Sequence, residues 1–561
     1  MSPSTQSIHA PVQSKIILFI VIVFCLWFLL DWVLPNKSST ITLYVFFFTI
    51  NITLNHLIKT LISLTVLGVL YRHQKQDYLS LYGQTHLGSA HWASKQQVID
   101  TGLLSSSQQG GVYLGSIKHN RSYYYLRHQG DEHIMVFAPT RSGKGVGIVI
   151  PTLLEWTNSV LVHDIKGENF HHTSGYRQQV LKQRILKFEP TSRESHRFNP
   201  LKEIRLGSEF ETRDVQNIAT MIVDPDGRGL NDHWTKTGFD LLVGVILHVL
   251  YAETDKSLSR VQSLLSTPGK SLEQIMKEIQ NTLHLGHSPH PIIVQSAQSF
   301  LNKAPNEASG VLSTALSFLS LYKDEVIAEN TRTSDFSIES LMQEASTLYL
   351  IVPPSDKDRL KPLTRLIINQ VVRRLTEKMD FDRQGQGRTQ YQYRLLLLLD
   401  EFPSLGKLDI FEESLAFIAG YGLKAVLIIQ DISQLYAAYG KNESIMSNCH
   451  IRVAYAPNKI DTAELLSRTL GNQTLGQSQH QFSGSRFSLM LNHTSKSIHY
   501  TARALLTADE VMRLPSDHAL IMVTGHSPIY AKKIRYFEEE LFHRKLLPPV
   551  NIFSQPKETP S

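Results

Sequence analysis

Cysteine is almost absent from this chain, since Cys25 and Cys449 are the only two among 561 residues. They provide neither a disulfide framework nor the paired spacing of a zinc site, which is consistent with a reducing cytosol. Charge of one sign is also scarce, because the formal net charge is only +6. That balance is compatible with an anionic partner but does not demonstrate one. The length allows two or three domains with substantial cores.

The most informative segment follows a short apolar run at residues 133–137. Residues 138–145 (APTRSGKG) have the pattern of a phosphate-binding loop between a strand and a helix. Backbone N–H groups of such a loop turn inward to hold phosphates, and Lys144 reaches the β- and γ-phosphates. The candidate nucleotide-binding residues of this loop are Thr140, Arg141, Ser142, Gly143, Lys144, Gly145 and Val146.

A second motif is the apolar run at residues 395–399, which leads into Asp400 and Glu401. It indicates a buried strand that ends in two carboxylates. Asp400 would hold Mg²⁺ through water and Glu401 would polarise the attacking water; the alternative is that Asp400 merely caps a buried strand. Gln430 follows another predicted strand and either senses the γ-phosphate or is a simple polar strand end. Together the motifs predict hydrolysis of ATP with Mg²⁺, with Lys144 and Glu401 as catalytic residues.

The loop departs from the common pattern at two positions. Ala138 replaces the first glycine, and Gly145 replaces the Ser or Thr whose hydroxyl would bind Mg²⁺. Ser142, Thr140 or water could supply that oxygen instead. Pro151 comes about two turns into the following helix and is expected to kink or shorten it.

Unbroken apolar runs separated by helix-length segments predict an α/β fold with a parallel sheet buried on both faces. The predicted strands are residues 133–137, 160–164, 185–188, 347–352, 395–400, 425–429 and 451–454, with a final strand at 519–524. Lys144 and Asp400 are separated by more residues than a compact nucleotide-binding core needs. Residues 204–346 have helical periodicity and few strand signals, so we predict an inserted all-α domain.

The N-terminus contains two long apolar stretches that predict a transmembrane helical hairpin. Residues 16–34 can span a bilayer, and a second span fits at about 47–70. A cleaved signal peptide is the alternative for the first stretch. Lys15 precedes the pair and Arg72 and Lys75 follow it, a weak positive-inside signal. A site that needs cytosolic ATP also requires both ends to face the cytoplasm.

Three further features allow more than one interpretation. His284, His287 and His290 form a local cluster, and a solvated loop is favoured over a metal site because cysteine and carboxylate partners are missing. Asp164 follows a predicted strand and belongs either to the site or to a charged turn. Lys424 is a weak candidate for a cation that acts on the neighbouring subunit's nucleotide.

Several motifs together resemble the type IV secretion coupling proteins, in particular the TraG-type and VirD-type proteins of conjugation. The resemblance spans most of the chain. It is carried by residues 88–93 (GSAHWA), 137–147 (FAPTRSGKGVG), 162–169 (VHDIKGEN), 224–227 (DPDG), 399–403 (LDEFP) and 503–506 (RALL).

The resemblance implies a RecA-like P-loop ATPase that works as a homo-hexamer, anchored in the bacterial inner membrane by more than one pass with its bulk in the cytoplasm. Such proteins recruit a relaxase bound to single-stranded DNA, or protein effectors, and pass the substrate to the secretion channel. A receptor for effectors only and a double-stranded DNA pump remain the alternatives; no DNA-reading domain is recognisable after residue 540. The predicted organisation is a membrane anchor (1–75), a connecting region (76–131), a RecA-like domain (132–203 and 347–540), an all-α domain (204–346) and a mobile C-terminal tail (541–561).

Overall fold

The computed structural model describes residues 40–45, 48–53, 60–69, 86–104, 110–119, 122–381, 387–483 and 493–552. These residues belong to two compact units. The larger unit is drawn from Ala90–Leu470 and Ala504–Ser561, and the smaller one from Met1–Ser89 and Gly471–Arg503.

The larger unit is built on one eleven-stranded sheet. Its strands are β1 (Val112–His119), β2 (Ser122–His128), β3 (Ile134–Phe137), β4 (Ser159–Asp164), β5 (Arg184–Phe188), β6 (Ser346–Ile351), β7 (Leu395–Leu399), β8 (Leu423–Ile429), β9 (Ile451–Ala454), β10 (His518–Val523) and β11 (Ile529–Lys532). Their order across the sheet is β2-β1-β11-β10-β9-β3-β8-β7-β4-β6-β5. From β9 to β5 every neighbouring pair is parallel, whereas the pairs from β9 to β2 are antiparallel.

The seven parallel strands confirm the strands expected from the apolar runs. Leu395–Leu399, the whole of β7, is shielded from solvent, as a central strand covered on both faces must be. The final predicted strand is also present, as β10. The antiparallel strands β1 and β2 lie within residues 76–131, the predicted connecting region.

Helices flank the sheet and fill the long segment between β5 and β6. Those before β5 are α1 (Lys95–Asp100), α2 (Ile150–Glu155) and α3 (Glu168–Gln179). Those between β5 and β6 are α4 (Glu211–Val223), α5 (His233–Ala252), α6 (Leu258–Leu265), α7 (Leu272–Asn281), α8 (Pro291–Leu301), α9 (Pro305–Phe318), α10 (Glu325–Asn330) and α11 (Ser340–Gln343). Those after β6 are α12 (Lys357–Leu375), α13 (Asp409–Ser414), α14 (Ile432–Tyr439), α15 (Ile445–Asn448), α16 (Ile460–Leu470), α17 (Ala508–Met512) and α18 (Glu540–His543). Residues 189–345, all of them described, contain no strand.

The core of this helical segment is α5. Its residues Leu241, Leu242, Val245, Ile246 and Val249 are all buried, and the helix packs against α4, α8 and α9. Among the described residues α5 is also the one helix with the length and apolar content to cross a bilayer. Its burial inside the larger unit explains that composition, since a helix that is apolar all round forms a core.

Arg177 ties α3 to the sheet from a fully buried position. Its Nε donates to Thr347 Oγ1 at 2.7 Å, and its Nη1 donates to the carbonyl oxygens of Leu153 and Trp156 at 2.5 and 2.9 Å. Its Nη2 donates to Gln183 Oε1 at 2.6 Å. Burial lowers the pKa of Arg177 to about 10, so the guanidinium is still charged at neutral pH.

Replacing Arg177 by methionine is expected to destabilise the protein by about 3 kcal/mol or more, because buried carbonyl groups lose their donor. The urea midpoint of unfolding measures the effect. Arg468→Met is the control, since that side chain is exposed and its nearest carboxylate oxygen, in Glu464, is 3.9 Å away. Equal midpoints for the two variants would contradict this account.

In the smaller unit, the structure corrects the predicted second transmembrane helix. Strands Thr40–Val45 and Phe48–Thr53 pair antiparallel, so part of the predicted span at 47–70 is strand, and the described helix is Thr60–Val69. In the sequence FTINIT apolar and polar residues alternate, and most of the residues are β-branched. Both features favour a strand over a helix. The first predicted span, residues 16–34, lies outside the described residues. Asn472–Ser483 and His493–Ala504 form another two-stranded sheet.

The C-terminal segment is fixed up to residue 552, so the expectation of a mobile tail is wrong for residues 541–552. The N–H of Val550 donates to Ser174 Oγ at 3.1 Å. A Cβ added at Gly175 would lie 2.0 Å from the carbonyl oxygen of Pro548, and Lys545 pairs with buried Glu155. Close backbone contact of this kind holds a segment whose basic residues and prolines led to the expectation of a mobile tail.

Candidate nucleotide-binding site

The predicted phosphate-binding loop joins β3 to a helical turn at the carboxyl edge of the parallel strands. Within it Arg141 and Gly143 have φ angles of 60° and 89°. A positive φ costs a non-glycine residue energy and is typical of ligand-binding turns. Gly145–Val149 is a π-helical turn, and the α-helix begins only at Ile150, with Pro151 in its first turn. The helical run therefore continues through Pro151 to Glu155, and the proline does not end it.

Lys144 and Asp400 meet across the end of the sheet. Lys144 Nζ lies 2.5 Å from Asp400 Oδ1, and the N–H of Glu401 donates to the same oxygen at 2.9 Å. Glu401 itself adopts a left-handed conformation with φ of 50°. The turn after β7 thus places the two carboxylates side by side, directly against the loop lysine.

Both oxygens of the Glu401 carboxylate accept hydrogen bonds. Gln430 Nε2 donates to Oε1 at 3.1 Å, and Lys357 Nζ donates to Oε2 at 2.6 Å. The hydroxyl of Thr140 donates to Gln430 Oε1 at 3.2 Å. Burial opposes ionisation of Glu401, but the hydrogen bond and charge of Lys357 and the charge of Lys144 outweigh it, so its pKa lies below the ordinary value. Glu401 is therefore ionised at neutral pH.

The donor set of the site fits a hard cation such as Mg²⁺, which takes oxygen ligands. Asp400 supplies a carboxylate, and Gly145 supplies no hydroxyl. Of the two side chains that were expected beside water as substitutes, Thr140 has its hydroxyl already bonded to Gln430. Ser142 Oγ is buried and has no hydrogen-bond partner in the described part of the chain. This unsatisfied oxygen favours Ser142 over Thr140 as the second oxygen ligand of Mg²⁺, beside Asp400.

Asp164 and its neighbour His163 lie at the end of β4, beside β7. His163 Nδ1 bonds the carbonyl oxygen of Asp400 at 2.8 Å. The Asp164 carboxylate accepts the N–H of Phe170 at 2.9 Å and so anchors the first turn of α3. Burial raises the pKa of Asp164 to about 6. These contacts give Asp164 a role in the turn that leads to α3 and give His163 a contact with the backbone of the acidic pair.

Two residues near the loop escaped the sequence analysis, Lys533 and Tyr455. Lys533 Nζ donates to the carbonyl oxygen of Ser142 at 2.9 Å and lies 3.8 Å from the centre of the Tyr455 ring. Burial lowers the pKa of Lys533 to about 8. The only signal in the sequence was the pair Lys532-Lys533 after the short run at residues 529–531, and pairs of basic residues are common on protein surfaces.

Gly147 is closely packed beneath the loop. A Cβ there would lie 2.9 Å from Tyr455 Oη and 3.0 Å from the carbonyl oxygen of Ile534. We expect Gly147→Ala to destabilise the protein by about 1–3 kcal/mol, because the neighbouring atoms must move. Thermal unfolding measures the change, and Gly145→Ala is the matched control, since nothing lies within 4 Å of its added Cβ. A smaller loss of Tm in Gly147→Ala than in Gly145→Ala would contradict this expectation.

The histidine cluster is not a fully solvated loop. His284 Nε2 bonds His248 Nδ1 at 2.9 Å, and His290 Nε2 bonds Glu211 Oε1 at 3.1 Å, whereas His287 is exposed. No group of three or more metal-binding side chains with suitable geometry occurs in the residues that the structure describes. The prediction of a solvated loop is therefore wrong for two of the three histidines.

Lys424 is also placed differently from its predicted role. It lies at the amino end of β8, fully buried, and its Nζ contacts His128 Nδ1 at 2.6 Å and the carbonyl oxygen of Gly130 at 2.7 Å. Burial lowers its pKa to about 7. A side chain without exposed surface cannot reach the nucleotide of another subunit.

A strand, a phosphate loop with its lysine, and an Asp-Glu pair on a nearby parallel strand define a P-loop nucleoside triphosphatase. The model of the family "Type IV secretory system Conjugative DNA transfer" matches residues 82–559. The chain belongs to this family of type IV coupling proteins.

Two relatives and one solved structure illustrate the match. The chain is 44% identical to the conjugal transfer protein TraG of Escherichia coli over 82% of this chain and 78% of TraG. It is 30% identical to VirD4 of Agrobacterium fabrum over 84% of this chain and 68% of VirD4. The plasmid coupling protein TrwB, solved in complex with ADP and Mg²⁺, is similar with a TM-score of 0.56 and 16% identity over 80% of this chain and 94% of TrwB. This likeness supports the predicted RecA-like fold.

Proposed function

We propose that this protein is a membrane-anchored ATPase that recruits relaxase-bound single-stranded DNA and delivers it to a type IV secretion channel. The observation that carries the proposal is the cluster of Lys144, Asp400, Glu401 and Gln430 at one edge of the parallel sheet. All four groups lie within a chain of hydrogen bonds of 3.1 Å or less that includes the phosphate loop. Its membership of the coupling-protein family supplies the cellular context.

The roles of the residues follow from their chemistry. When ATP binds, Lys144 leaves Asp400 and contacts the β- and γ-phosphates. The N–H groups of residues 141–146 hold the phosphate oxygens. Asp400 and Ser142 would hold Mg²⁺, which shields the charge of the phosphates. Glu401 orients and polarises the attacking water, and Gln430 contacts the γ-phosphate.

The proposed assembly is a homo-hexamer that works with a relaxase, single-stranded DNA and components of the secretion channel. DNA contact would be mainly to phosphates, independent of sequence and sensitive to salt. Protein effectors are the alternative substrate, and a double-stranded DNA pump is the second alternative. The same motor would serve each of them, so the substrate must be identified by experiment.

The proposed location is the bacterial inner membrane, with the N-terminal residues 1–75 as anchor and the nucleotide site in the cytoplasm. The apolar run at residues 16–34 supports this location. We expect the full-length protein to stay in the membrane fraction after carbonate extraction. Release into the supernatant would contradict the anchor.

Stimulation of ATP hydrolysis by nucleic acid tests the substrate. We expect single-stranded DNA to raise kcat of the full-length protein, and double-stranded DNA of the same length to raise it less. Stimulation by double-stranded DNA alone would favour the pump. Activity that no DNA changes, together with intact dependence on Lys144, would favour the effector receptor.

A further inference from the structure

A cleft of about 760 Å³ opens beside Glu401, and most of the residues that line it have no role in the steps described above. Its charged side chains are four basic and two acidic, namely Arg228, Lys357, Lys361, Lys407, Asp226 and Glu401. Basic side chains outnumber acidic ones in this lining, although Lys407 also pairs with Asp409 and Glu412 outside it. Lys357 and Lys361 pair with carboxylates of the cleft itself, so an anionic ligand would bind by competing with these carboxylates for the ammonium groups. The volume is within the range of ligand pockets, about 300–1,000 Å³.

Two of the basic residues belong to a stripe along one face of α12. Lys357, Lys361 and Arg365 are spaced four residues apart, and like charges at this spacing destabilise a helix. Helix stability therefore does not explain the stripe. Lys361 Nζ pairs with Asp226 Oδ1 at 2.8 Å. Arg365 is 1% exposed and donates to the carbonyl oxygen of Leu405 at 2.7 Å, while its Nε has no hydrogen-bond partner in the described part of the chain.

The walls of the cleft are held together by backbone packing. Gly227, in the loop between α4 and α5, has a φ of 72°, and a Cβ there would lie 2.0 Å from the carbonyl oxygen of Lys407. Only glycine allows this approach. The loop of the helical segment is thereby seated on the segment that follows the Asp-Glu pair, so a ligand in the cleft meets both.

Lys357 links this cleft to the catalytic carboxylate. Its ammonium contacts Glu401 Oε2 at 2.6 Å, while Gln430 contacts Oε1 at 3.1 Å. An ammonium in direct contact with a carboxylate oxygen fixes the position of that oxygen and makes it a weaker base, so Glu401 in this arrangement is less able to take a proton from water. Lys357 also lines the cleft, so one side chain can bind either Glu401 or an anion from outside.

We propose that Lys357 is a positioning residue that holds Glu401 inactive until the phosphodiester backbone of single-stranded nucleic acid enters the cleft. The phosphates compete with Glu401 for the ammonium of Lys357, and Oε2 becomes free to orient water. A repeating phosphate chain suits a groove with several cations. The inference rests on the proposed function, because it takes Glu401 as the residue that acts on water.

Steady-state kinetics of the full-length protein test whether Lys357 holds Glu401 inactive. Lys357→Met is expected to raise kcat without DNA by about threefold or more at unchanged KM, and to abolish further stimulation by an oligothymidylate. Lys357→Arg should behave like the wild type, because it keeps the ion pair. Lys441→Met, at an exposed lysine elsewhere, is the matched control. A fall in kcat of Lys357→Met would overturn the proposal, since it would make Lys357 a contributor to catalysis.

Linkage provides a test that needs no hydrolysis, because coupling between two sites is reciprocal. Glu401→Gln frees Lys357 and is expected to tighten the binding of a labelled oligothymidylate by about threefold or more. In the Lys357→Met background the same change should leave the affinity unaltered. Equal affinities of wild type and Glu401→Gln would overturn the proposal. If Lys144→Ala hydrolyses ATP as fast as the wild type, the proposed function fails. The binding measurements on the Glu401 and Lys357 variants still decide whether Lys357 couples Glu401 to nucleic acid.

Discussion

Glu401→Gln is expected to lower kcat for ATP hydrolysis by about 10²–10⁴-fold, the contribution typical of a positioned general base. The amide keeps the size of the side chain and can still bond Gln430, but it cannot polarise water as a carboxylate does. KM should change little, because the proposed phosphate contacts are made by the loop and not by Glu401. The variant should therefore hold ATP without turning it over.

Single-turnover kinetics and nucleotide binding measure the two parts of this expectation separately. Glu464→Gln, in an exposed stretch of α16, is the control and should match the wild type. A variant that loses ATP affinity in proportion to its rate would contradict the role of Glu401, since it would indicate a binding residue. A variant with wild-type kcat would remove Glu401 from the chemistry.

Lys144→Ala has the second large expected effect, a loss of hydrolysis by about 10²–10³-fold. In the proposed mechanism Lys144 is the cation that meets the charge developing on the transferred phosphoryl group, and water would not replace it in a partly enclosed site. The variant also leaves Asp400 without its partner at 2.5 Å. Nucleotide affinity should fall as well, in contrast to Glu401→Gln.

Fluorescent ADP and ATP analogues measure that affinity, and phosphate release measures the rate. Lys441→Ala is the control, because this lysine is exposed and distant from the loop in sequence. Unfolding must be followed in parallel, since the unpaired Asp400 has its own cost in stability. Full hydrolysis in Lys144→Ala would contradict the assignment of the phosphate loop.

The parallel half of the sheet could be predicted from sequence because each strand buries both faces and reads as an unbroken apolar run, as LLLLL does in β7. Asp400, Glu401 and Gln430 could be placed in one site because the carboxyl ends of parallel strands meet at one edge. The structure does bring them together with Lys144 and Thr140.

Contacts between distant segments could not be predicted. Lys357 reaches Glu401 from the start of α12, and Lys533 reaches the phosphate loop from beyond β11. A single lysine has no sequence pattern that distinguishes an ion pair in a site from a solvated surface charge. Hydrophobicity alone also gave the wrong prediction for residues 48–53. They belong to an apolar stretch long enough to span a membrane, but their apolar and polar residues alternate as in a strand.

The central claim is that this chain couples ATP hydrolysis to the handling of single-stranded DNA. Its most direct test is phosphate release by the full-length protein with Mg²⁺ and ATP, measured with and without single-stranded DNA, beside Lys144→Ala. We expect hydrolysis that requires Mg²⁺, rises with DNA and disappears in the variant. Equal phosphate release by the wild type and Lys144→Ala, with or without DNA, would contradict the account.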